Sequence, residues 1–121
     1  MIFKGDDYYL VRMVWNATEG KYEKHPCFPS GGPARMDASL PANRMSWERC
    51  QRHLAHLPQQ GEECYRPAFR FTPTNPYWFI DIDNAKLENG QLHPLANEVL
   101  TMFAGAATEW SSSGRGLHIV G

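Results

Sequence analysis

Two carboxylates and a histidine are the residues of this chain best suited to chemistry. Asp81 and Asp83 lie in the run Trp78-Phe79-Ile80-Asp81-Ile82-Asp83. On an extended strand the period of two puts Phe79, Asp81 and Asp83 on one face and Ile80 and Ile82 on the other. Two like charges about 6–7 Å apart on one face repel, and apolar neighbours add a desolvation cost. A divalent cation between the carboxylates removes both penalties. Mg or Mn prefers oxygen ligands and keeps the rest of its shell for water and phosphate. Two-metal nucleotidyl transfer has that requirement. The plainer alternative is a strand end that reaches solvent, with Asp83-Asn84 opening a turn.

The second group is Ser111-Ser112-Ser113-Gly114-Arg115-Gly116, followed by Leu117-His118-Ile119-Val120. Two glycines allow backbone N–H groups to converge on an oxyanion, as in a phosphate nest. Arg115 adds a permanent planar charge suited to a polyphosphate. His118 stands between apolar strand neighbours, so its ring is held, and it can donate to a phosphate oxygen or support the 3′ end. The alternative is a glycine-rich hairpin whose histidine is a half-buried strand residue.

The elements that must position these groups follow from periodicity and punctuation. Tyr8–Trp15 reads as a strand. Residues 24–43, with Pro26, Pro29, Gly31-Gly32, Pro33 and Pro41, read as a long ordered loop. Ser46 is an N-cap for a helix to about Leu57, with Trp47, Cys50, Leu54 and Leu57 on one stripe. Arg66–Thr72 and Tyr77–Asp83 read as strands, the latter central, which makes Tyr77, Trp78 and Phe79 core rather than base-stacking rings. Pro94 opens a second helix to about Ala107, its apolar side formed by Leu95, Val99, Met102, Phe103 and Ala106. Glu109–Ser111 starts a strand, Ser112–Gly116 turns, and Leu117–Val120 is a last strand, expected to be an unpaired edge open to a partner. Strands interleaved with helices predict an α+β fold, a mixed β-sheet packed with helices.

The 121 residues suit a single domain, 1–121, divided into a basic, proline-rich module (1–60) and a second module (61–121). The net charge of −1 excludes simple electrostatic adhesion to DNA. That balance hides segregation: residues 21–70 hold eight basic groups against five acidic, and residues 71–121 two against five. A basic middle beside an acidic end suits a phosphate-tracking surface next to a cation site, with Lys24 a candidate phosphate contact. No apolar run approaches a membrane span, and the N-terminus lacks the apolar stretch of a secretory signal. Three cysteines without close pairing point to a reducing cytoplasm. Cys50, His53, His56 and Cys64 match no common zinc spacing, and Cys50, His53 and His56 do not converge on their helix.

The order of these signals carries a resemblance. An Asp-x-Asp strand, a helix, then Ser113-Gly114-Arg115-Gly116-Leu117-His118 resembles the primase-polymerase (prim-pol) domain of the archaeo-eukaryotic primase superfamily, in the type found in phage and plasmid replication proteins. Val14-Trp15, Lys24-x-Pro26-x-x-Pro29 and Ser39-x-Pro41 are similar to the N-terminal part of those proteins. The resemblance implies metal ligation by Asp81 and Asp83, nucleotide contacts from Ser113, Gly114, Arg115, Gly116 and His118, and a catalytic role for His118. It further implies Mg or Mn, a DNA template, nucleoside triphosphates, a fused or associated replicative helicase, and a bacterial host cytoplasm. The family completes its metal site with a third acidic motif on a strand beyond the histidine, and the sequence reaches Gly121 without one. Glu98 and Glu109 do not occupy that context and take no role in it. The expected object is therefore an incomplete prim-pol fold. It acts as a metal-dependent nucleotidyltransferase once the missing motif completes it; the alternative is a fragment that binds nucleotide or DNA without catalysis.

Overall fold

A computed structural model describes residues 3–111 and 113–121. The chain divides into two compact units, Met1–Thr72 and Pro73–Gly121, each with its own core. The class is α+β: the described residues form two three-stranded sheets and two α-helices. All strand pairs are antiparallel, so the single mixed sheet expected from the sequence is replaced by two antiparallel ones. Among the described residues no helix is long and apolar enough to cross a membrane.

In the first unit β1 (Tyr8–Asn16) is central, flanked by β2 (Lys21–Cys27) and β3 (Glu63–Phe69). The strand at β2 corrects the expectation of a loop from residue 24 onward. Pro26 fits there because β2 is an edge. Its carbonyl accepts from Met36 N, away from β1, so the position of its missing N–H also faces outward. Pro67 in β3 follows the same rule. Tyr65, two residues earlier, donates its N–H to Pro58, away from β1, and the alternation carries Pro67 outward too. The long proline- and glycine-rich segment then begins after Cys27 and ends in a 3₁₀ turn at Pro41–Asn43.

Helix α1 (Trp47–Leu54) is capped by Ser46, whose Oγ accepts from Arg49 N. Its stripe is the expected one. Cys50 and Leu54 are buried with Tyr8, Leu10, Cys27, Met45 and Tyr65, and Trp47 and Leu57 close the edge of that cluster. The opposite sheet face holds Val11, Met13 and Cys64. Cys50 and Cys64 thus lie on opposite sides of one sheet, which separates the cysteines and histidines weighed as zinc ligands. Residues 61–69 were expected in the second module. They belong to the first unit because β3 forms a continuous ladder with β1 from Tyr8↔Phe69 to Val14↔Glu63.

The second unit is a sheet of order β4-β6-β5, with β4 (Phe79–Ile82), β5 (Ala107–Trp110) and β6 (Leu117–Val120). This corrects the last strand: β6 is not an open edge but the centre, paired on both sides. It also makes β4 an edge strand, so Trp78 and Phe79 are about two-fifths exposed rather than core. Helix α2 (Pro94–Met102) starts with Pro94 at its first position and with His93 Nδ1 accepting from Leu95 N. Ala96, Val99 and Leu100 pack with Ile80, Ile82, Leu117 and Ile119. The expected apolar side was rotated from this one: Leu95 and Met102 are exposed. The helix stops short of Ala107 because Phe103 leaves helical geometry and Gly105 adopts φ +93°.

Candidate functional site: a carboxylate–histidine–carboxylate row

The register of the second sheet builds the site. Asp81 stands opposite His118 on the β4–β6 ladder, and Glu109 stands opposite His118 on the β6–β5 ladder. Paired residues share a face, so Asp81, His118 and Glu109 form one row across three strands. Ile80, Ile119 and Thr108 form the next row on the other face, where α2 covers Ile80 and Ile119. The polar row is therefore on the face that α2 leaves uncovered.

His118 is held from three sides. Its Nδ1 lies 3.3 Å from Glu109 Oε1 and is hydrogen-bonded to it. Its Nε2 lies 3.6 Å from Asp81 Oδ1, near enough for charge to matter and too far for a direct hydrogen bond. The Phe79 ring, on the same face, packs at a centroid distance of 5.0 Å. The His118 side chain is only 18% exposed, whereas Asp81 and Glu109 are each about half exposed, at 48% and 49%. A shielded imidazole thus sits between two wetter carboxylates.

Asp83 is placed less tightly. The β4 ladder ends at Ile82, and Asp83 is the first residue of the turn that follows, with Asn84 at φ +53°. It is exposed and one step beyond the row. As donors the two carboxylates suit a hard divalent cation in kind, with Asp81 on the face away from α2 and Asp83 just past it. Among the described residues no three His, Cys, Asp or Glu side chains are gathered to hold a metal. Water and a nucleotide's phosphates would have to complete the shell.

The glycine-rich turn is a tight hairpin connection from β5 to β6. Ser111 N donates to Gly116 O, and Gly114 N to Ser111 O. Gly116 N donates to Ser111 Oγ at 2.9 Å, and Arg115 N to Ser113 Oγ at 3.3 Å. Gly114 needs its glycine for φ +74°. Gly116 needs it for space, since a Cβ there would meet Ser111 Oγ at 3.0 Å and the Ile82 carbonyl at 3.3 Å. The N–H groups of Gly114, Arg115 and Gly116 are thus spent on Ser111 and Ser113, which leaves these three no N–H to converge on a phosphate. What the turn offers outward is the exposed Arg115 side chain and Ser113. Arg115 O accepts from Lys86 N, which ties the turn to the segment after β4. Ser112 lies outside the described residues.

Lys24 is exposed on β2, in the other compact unit. Of the residues singled out from sequence, the fold brings Asp81 and His118 into direct apposition, leaves Asp83 one step on, and sets Ser113, Gly114, Arg115 and Gly116 in the turn leading to His118. Glu109 is the residue that sequence reasoning passed over. Hairpin arithmetic contains it: once Ser111 pairs with Gly116, Trp110 faces Leu117 and Glu109 faces His118. No protein-family model matches this chain, and no curated protein matches it significantly.

Proposed function

We propose that the second unit carries the nucleotide site of a prim-pol-type nucleotidyltransferase, a module that adds nucleotides on a DNA template in a phage or plasmid replication protein. One observation carries the reading. Asp81 and His118, chosen from two separate motifs, stand opposite each other on the sheet face away from α2, with His118 Nε2 3.6 Å from Asp81 Oδ1. In this reading Asp81 and Asp83 hold Mg or Mn, which when bound neutralises triphosphate charge and activates the attacking hydroxyl. Arg115 and Ser113 contact the phosphates from the turn, and His118 contacts the nucleotide at the centre of the sheet. Gly114 and Gly116 serve by shaping the turn rather than by lending their N–H groups.

The second reading, nucleotide or DNA binding without catalysis, is favoured by the position of Asp83. Because the ladder ends at Ile82, strand alternation does not fix Asp83 beside Asp81. One experiment separates the two. Deoxynucleoside triphosphate binding is titrated with and without Mn²⁺, alongside primer extension, for the wild type and for Asp81→Asn. Binding that requires Mn²⁺ and falls at least tenfold in Asp81→Asn is expected. Extension by the wild type supports the transferase, and metal-dependent binding without extension supports the binding module. A wild type that binds neither nucleotide nor the primer–template DNA sinks both.

A further inference from the structure

We infer that Glu109 is the positioning residue for His118: it fixes the proton on Nδ1 and so presents Nε2, beside Asp81, as an acceptor for a donor group of the bound nucleotide such as a sugar hydroxyl, rather than as a donor to its phosphates. The inference rests on the nucleotide reading for what Nε2 meets, but not for what holds the ring.

The argument starts from donors and acceptors. An ionised carboxylate only accepts, so the 3.3 Å contact between Glu109 Oε1 and His118 Nδ1 requires the proton on Nδ1. Nε2 of the neutral ring is then a lone-pair acceptor. It faces Asp81 Oδ1, another acceptor, at 3.6 Å. Two acceptors facing each other gain nothing directly; they become partners when a cation or a donor group joins them. The backbone makes this arrangement rigid. Glu109 and His118 are cross-strand partners on the β5–β6 ladder, and Phe79 packs against the imidazole. A carboxylate that holds one ring nitrogen so that the other can work is a recurring arrangement around reactive and metal-facing histidines.

The test reads the tautomer itself. Long-range ¹H–¹⁵N spectra of the labelled full chain, at a pH where the ring is neutral, report which His118 nitrogen bears the proton. The wild type is expected to show a majority Nδ1–H form. Glu109→Gln keeps an acceptor oxygen and is expected to retain it, whereas Glu109→Ala reverts to the Nε2–H form that free histidine prefers. Unchanged amide shifts along β6 establish that each variant is folded, and Glu98→Ala serves as a control. An Nε2–H wild type, or a tautomer indifferent to Glu109→Ala, overturns the inference. In parallel, Mn²⁺–nucleotide binding is expected to weaken about tenfold in Glu109→Ala and to be largely restored in Glu109→Gln. If the tautomer flips but binding in a nucleotide-binding wild type is unchanged, the positioning role falls. If the tautomer depends on Glu109 while the wild type binds no nucleotide, the hold on the ring stands and the nucleotide reading is what fails.

Discussion

At the scale of single residues, legibility depended on whether a role was local. Asp81 and His118 could be singled out because their neighbours are apolar and alternate, so a charge there demands a reason. Glu109 could not, because its importance comes from a partner across the ladder rather than from the residues beside it. Charge counting misleads in the same way. Arg44 belongs to the basic middle of the sequence, yet its side chain is only 7% exposed. It binds Asp7 at 2.9 Å and donates to the carbonyls of Ala38 and Ser39. It pins a loop instead of tracking phosphate. The cysteines behave as core atoms. Burial, with Cys27 nearby, pushes the Cys50 thiol from 9.0 up to about 11. A folded value raised in this way favours the neutral thiol, so its contribution to stability is complete below about pH 9 and is lost as pH climbs through 11. Iodoacetamide at pH 8 should leave Cys50 unlabelled in the folded chain and label it fully in guanidinium, as mass spectrometry would read. Equal labelling in both would contradict the burial described for it.

At the scale of elements, caps and stripes were readable where one short sequence decides the outcome. Ser46 and the Trp47–Leu57 stripe are of this kind. Replacing Ser46 with Ala should lower stability by about 1 kcal/mol, measured as a shift in the denaturation midpoint at constant slope. No change would mean that the Oγ to Arg49 N–H bond contributes nothing. Elements decided by tertiary pairing were not readable. Pro26 signals a loop to any local rule, and only the edge position of β2 makes it compatible with a strand. The face of α2 was misjudged because Leu95 and Met102 are as apolar as the residues that pack. The small Ala96, buried in one cluster with Ala85, Leu117 and Ile119, marks the side that actually packs.

For the molecule as a whole, the α+β class followed from the alternation of elements, but the division into units did not. A boundary near residue 60 rested on composition, whereas the ladder between β1 and β3 carries the first unit to Thr72. Each unit has its own fully buried centre, Leu10 in one and Ile119 in the other. Leu10→Ala and Ile119→Ala should each cost about 2–5 kcal/mol, read as lost amide protection in β1–β3 and in β4–β6 respectively. A loss under 1 kcal/mol at either site would argue against its central place in that core. The edges of the two sheets differ in how they resist company. In the first, Pro26 and Pro67 remove a donor from each outer edge, so another chain has no complete ladder to join. In the second, the edge strands β4 and β5 have no proline and carry Asp81 and Glu109 instead. The carboxylates that flank His118 are therefore also a guard against aggregation, through charge rather than through a missing hydrogen bond. Replacing both with apolar residues to test chemistry would leave two short, uncharged strands ready to stick, which makes Asn and Gln the safer substitutes.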